Sequence, residues 1–194
     1  MITSSLYFNG SIFIDNTSSI HPNSEELGLG AKLESFIQEY EPDVLIKCLG
    51  YSLYKEFMDQ FSEDYTLNES AHQKWKDLLN GKEYQVNGIS YSWRGLIYEE
   101  GGFDKSLISF YVYSKYIKRD FLGVGIQSEK TKETIPNPSI IYIEAYNEFV
   151  NLTVKGKNGL VSLYQFLTDM NTISSDTYAN WSPTNFCKIN QFSI

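Results

Sequence analysis

The sequence predicts a mainly α protein with a small β component (α+β): a bundle of about five to six helices, one β-hairpin around Asn87-Gly88, and extended arms at both ends. Three observations predict it. Between residues 24 and 170, apolar residues recur at spacings of three and four, the pattern of helices that bury one face. Asn87-Gly88 stands between two alternating runs, Tyr84 to Val86 and Ile89 to Tyr91, a strong short-range hairpin signal. The ends, 1–23 and 171–194, carry apolar residues without a helical period. A chain of 194 residues suits one domain whose core needs neither disulfides nor metals.

In chain order, LYF-NG-SIFI at the N-terminus alternates around Asn9-Gly10 and reads as a hairpin or an extended arm. A polar stretch follows. From Glu25 to Tyr40 the apolar positions Leu29, Leu33, Phe36, Ile37 and Tyr40 form one helical face. Pro42 and Asp43 are then expected to open a second helix, since Pro is tolerated in a first turn and Asp suits the positive end of the helix dipole. Leu45, Leu49, Leu53 and Phe57 make its ridge, with Gly50 inside it, a cost of about 1 kcal/mol that a close helix crossing would justify. Asn68 or Ser70 can cap a short third helix that turns Trp75, Leu78 and Leu79 inward and stops at Asn80-Gly81.

After the Asn87-Gly88 hairpin, residues 103–121 read as a fourth helix that is apolar nearly all round. Phe103, Leu107, Phe110, Ile117 and Phe121 share one face, and Ile108, Val112 and Tyr116 another, with Tyr111 and Tyr113 between. Such a helix is either central to its own fold or covered partly by another chain. Residues 123–139 form a long polar loop with Pro136 and Pro138, a fifth helix runs from about Ser139 to Leu152, and GLVSLYQFLTDM makes a short sixth.

Fifteen Tyr, twelve Phe and three Trp are more aromatic surface than a small core normally needs, and such side chains are favoured where proteins meet. An AT-rich genome is the competing explanation. The formal net charge is −8, and Ser24–Asp64 holds ten acids against three lysines, a balance that disfavours a grip on nucleic acid. An acidic face drawn from Glu34, Glu39, Glu41, Asp43, Glu56 and Asp59 would let DNA pass without sticking. The start has no basic flank or sustained apolar run, and no stretch approaches the roughly twenty apolar residues that cross a bilayer. Cys48 and Cys187 lack a metal spacing and fit reduced thiols, with one disulfide left open.

Chemistry-bearing motifs are missing. His21 and His72 stand without spaced partner ligands and read as surface or capping residues. The glycines near 28–30 and 123–125 lack the context of a phosphate loop, and the acidic pairs Glu63-Asp64 and Glu99-Glu100 read as solvated surface. No residue is assigned as catalytic, metal-ligating or cofactor-binding.

Taken in order, EPDVLIKCLGYSLYKEF, KWKDLLNGKEYQVNG, SWRGL, SLISFYVYSKYIKRD, AYNEFV, SLYQFL and INQFSI resemble the head-to-tail connector, or head-completion, proteins of tailed phages and prophages of Bacteroidetes-type bacteria. The resemblance spans the chain from about Leu27 onward and leaves the N-terminal segment out. It implies a non-enzymatic virion protein, made in the host cytoplasm, whose copies form a ring, commonly of twelve, between portal and tail, with DNA as passing cargo and no membrane or cofactor. Ile108, Val112, Tyr113, Tyr116, Phe186, Phe192 and Ile194 are the candidate subunit or partner contacts. The alternatives are a non-viral cytoplasmic binding or inhibitor module and, behind it, a small hydrolase.

Overall fold

The computed structural model describes residues 1–14, 29–119 and 138–190. Among these residues, six α-helices and two two-stranded antiparallel sheets make the fold mixed α+β and mainly helical.

Helix α1, Leu29–Leu49, runs straight through Pro42. The expected break there does not occur, because the buried stripe of Leu33, Phe36, Ile37, Val44, Leu45, Cys48 and Leu49 keeps helical phase across the proline. Packing therefore outweighs the roughly 3 kcal/mol that an interior proline costs. The chain breaks instead at Gly50, whose φ of 81° is open to glycine at little cost. Any side chain at this position would meet Ser182, whose carbonyl oxygen stands 2.8 Å from where a Cβ would sit. The close approach expected at Gly50 is thus to the C-terminal segment, and α2, Tyr51–Met58, starts afresh behind it.

Helix α3 is Gln73–Asn80, with Trp75, Leu78 and Leu79 buried as expected. Its cap is His72 rather than Asn68 or Ser70: the His72 ring Nδ1 accepts from the Lys74 N–H at 3.2 Å. Strands β1, Lys82–Val86, and β2, Ile89–Trp93, pair around Asn87 and Gly88, both at positive φ. This hairpin lies on helices, as a lone hairpin must. Trp93 stacks on Phe166 at 5.5 Å and donates its indole N–H to the Leu78 carbonyl, and the Tyr84 hydroxyl donates to Asp169.

Residues 97–106, whose last four were expected to begin a helix, form a second hairpin. Strands β3, Ile97–Glu100, and β4, Phe103–Ser106, turn through Gly101-Gly102, both at positive φ. Helix α4 therefore starts at Leu107, where the Ser106 hydroxyl accepts from the Ile108 N–H, and ends at Ile117. It packs between α1 and α5, Pro138–Val150, which continues as a π-helical turn, Asn151–Lys155. Helix α6 is Leu163–Ile173, capped by Ser162.

Asn9-Gly10 turns no hairpin. Asn9 has an extended φ of −132°, whereas the two-residue hairpin turn it was expected to make needs positive φ at both residues. Two 3-10 turns, Ser5–Tyr7 and Gly10–Ile12, take its place and lay Ile2, Phe8, Ile12 and Ile14 into the core. Both terminal segments thus belong to one contiguous core, which also takes in Tyr178. Three donors near the chain's end satisfy the last carbonyls of α1: Trp181 Nε1 to Cys48, Ser182 N to Leu49 and Thr184 N to Lys47.

Candidate functional site

The expected contact surface on α4 is not a surface. Ile108, Val112, Tyr113 and Tyr116 are all buried within the single chain, as are ten of the eleven residues of the helix. Its two apolar faces are taken by α1 and α5, with Tyr116 edge-on to Phe36 at 5.3 Å and Tyr111 against Phe149 at 5.1 Å. Ile108, Val112 and Tyr116 are therefore core residues in this structure, while Tyr113, also largely buried, keeps one edge on the cleft described below. Phe186 is half-buried, edge-on to Phe149 at 4.9 Å, while Phe192 and Ile194 lie outside the described residues, as does most of the 123–139 loop.

The acidic set is divided too. Glu41 is buried, and its carboxylate accepts from Ile2 N at 2.7 Å, Thr3 N at 2.8 Å and the Thr3 hydroxyl at 2.5 Å. It clamps the N-terminal segment and is withdrawn from any channel face. Glu34 accepts from Ser5 N nearby. Asp43 is held by Lys47 at 2.7 Å and the Tyr111 hydroxyl at 2.8 Å. Burial works to raise the Asp43 pKa, but these donors and the neighbouring cations together outweigh it and hold the group below the usual carboxylate value. Glu39 pairs with Arg119, Glu56 accepts from Asn180, and Asp59 is exposed. Cys48 is buried and free, its thiol pKa raised by burial; Cys187 is exposed and free, so the two do not pair.

A concave site that sequence reasoning missed lies where the N-terminal segment, the second hairpin, α4, α5 and the turn at Lys157 converge. The cleft measures about 510 Å³. Tyr98, Phe110 and Tyr113 form its aromatic walls, and Arg94, Lys105, Lys157, Glu100, Glu144 and Glu148 supply charge. Lys105 pairs with Glu100 at 2.8 Å and Lys157 with Glu148 at 2.5 Å. The bond from Lys105 holds Glu100 below its ordinary pKa. Arg94 lies over the Tyr98 ring, 4.8 Å from its centroid, and makes no salt bridge among the described residues. Burial raises the Tyr98 pKa, with Arg94 acting against it. The signal for this site is the Gly101-Gly102 turn, which brings Tyr98, Glu100 and Lys105 to one place.

Large apolar side chains remain exposed around it. Phe103, directly paired with the cleft residue Glu100, is 56 % exposed, and Phe13, next to the cleft residue Ile12, is 62 % exposed. Leu6 is more open still, and Asn9 ties its carbonyl to that of Asp104.

Elsewhere, Phe61–Leu67 forms a pinned turn between α2 and α3. Asn68 N bonds Gln60 O, Phe61 bridges Leu67, and Ser62 bonds Thr66 through both backbone and side chain. At its tip Tyr65 is held at a φ of 58°, a conformation that costs a non-glycine residue about 1–2 kcal/mol. Tyr65 is half exposed, and its neighbours Glu63 and Asp64 are exposed without a cationic partner among the described residues.

No family model, no curated protein and no solved structure matches this chain. Among the described residues, no helix is long and apolar enough to cross a membrane, and no three His, Cys, Asp or Glu side chains gather as a metal site.

Proposed function

We propose that the protein is a structural subunit of a tailed-phage neck, a head-to-tail connector whose copies close into a ring between portal and tail. The observation that carries this reading is the border of the cleft, where Leu6, Phe13 and Phe103 stand exposed beside half-buried charges. Aromatic anchors next to polar groups that become desolvated on contact are the make-up of a protein interface. A ring needs two different patches on each subunit, because a head-to-tail contact closes by rotation. The ordered packing and turn motifs from about Leu27 onward add the connector resemblance. Glu39, Glu56 and Asp59 are the acids left for a face past which DNA slides.

The burial of α4 favours a second reading. A chain that covers its own most apolar helix is self-sufficient as a monomer and suits a one-to-one binding or inhibitor module.

Sedimentation and electron imaging of the purified full chain, alone and mixed with portal assemblies from tailed phages, separate the two. Closed rings, free or seated on a portal, support the connector. A monomer that stays monomeric at high concentration and ignores portals overturns it.

A further inference from the structure

We propose that the acidic turn Phe61–Leu67 of one copy docks into the charged cleft of the next, with Tyr65 entering between the aromatic walls and Asp64 meeting Arg94. The inference rests on the assembly reading above and names its contact.

Both halves carry independent marks. Three layers of backbone and side-chain bonds at the base of the turn fix its shape before any partner arrives, so little conformational freedom is lost on docking. Glycine would hold the tip conformation without strain, yet a half-exposed tyrosine occupies it. Strain of this kind gathers at sites of function.

The cleft offers the complement. Tyr98, Phe110 and Tyr113 line a space of about 510 Å³, wide enough for an aromatic ring with a carboxylate beside it. Lys105 and Lys157 are already neutralised within the lining, which leaves Arg94, steadied on the Tyr98 ring, as the cation able to fork onto an incoming carboxylate. Glu144, exposed at the mouth, opposes the acidic turn. Turn and cleft share no residue, so one copy can offer its turn to one neighbour and its cleft to another, as a head-to-tail ring requires.

Tyr65→Gly removes the knob at an exposed position, and Asp64→Arg reverses its charge without touching the core. Sedimentation of the full chain should show either variant assembling at least tenfold more weakly than the wild type. Arg94→Glu should do the same, and combining it with Asp64→Arg should restore assembly, while Glu144→Lys should tighten it several-fold. An equimolar mixture of Tyr65→Gly and Arg94→Glu chains retains one working junction per pair and should stop at heterodimers. Circular dichroism establishes that each variant is folded, and Arg94→Ala serves if Arg94→Glu is not. Rings that form normally with Tyr65→Gly and Asp64→Arg overturn this contact and leave the connector reading intact. A wild-type chain that forms no multimer under any condition overturns both.

Discussion

Tyr111 and Tyr65 put one residue type to opposite uses. Tyr111, in the middle of α4, is buried against Phe149, and its hydroxyl donates to Asp43. Tyr65, at the tip of a bonded turn, is half exposed in a backbone conformation that opposes it. Aromatic abundance alone therefore does not indicate an interface. Backbone geometry distinguishes the two, since the core tyrosine sits in relaxed helix and the exposed one at a positive φ that the hydrogen bonds of its turn hold in place.

The comparison can be broken first at its buried end. Phe149→Ala removes the ring on which Tyr111, Tyr146 and Phe186 pack, and should cost about 3–5 kcal/mol in urea denaturation. Next is the clamp on the N-terminal segment. Glu41→Ala strands two buried N–H groups and should cost about 2–3 kcal/mol, with fast hydrogen exchange over residues 1–8 while α4 stays protected. At the exposed end, Tyr65→Gly should leave stability unchanged or raise it by up to about 1 kcal/mol. Relief of about 1–2 kcal/mol at positive φ offsets the extra unfolded-state freedom of glycine, about 0.5–1 kcal/mol. A loss of several kcal/mol instead would make Tyr65 a structural residue.

The smallest effect concerns pH. The folded-state pKa of Asp43 is depressed, so its contribution to stability is present above the unfolded value near 4 and fades as pH falls through the lower folded value. Asp43→Asn should flatten the acid limb of a thermal-stability profile below about pH 4 and lower stability modestly at neutral pH, because the pair with Lys47 is part-exposed.

Much of the architecture was legible in the sequence, for reasons that sort by distance along the chain. Asn87-Gly88 specifies its turn locally, and the stripe of α3 specifies its inward face, so both were readable. Pro42 was misread because a first-turn proline and an interior one look alike. The continuous phase from Leu33 to Leu49 was the clue that distinguished them. Gly101-Gly102 was a turn signal lost against the aromatic run that follows it. The contact residues on α4 could not be read, since whether an all-round apolar helix is central depends on α1 and α5, and Tyr116 and Phe36 are brought together by tertiary packing alone. Glu41 misled for the converse reason: acids are usually solvated, and only the return of Ile2 and Thr3 to its side buries this one.

The bonds from Trp181, Ser182 and Thr184 to the end of α1 set an order of events during synthesis. Lys47 and Thr184 are separated by 137 positions, so at about 5–20 residues per second the carbonyl end of the first helix waits about 7–27 seconds on the ribosome for its partners. The first helix can form early, but its carbonyl end stays uncapped until residues 181–184 have been made.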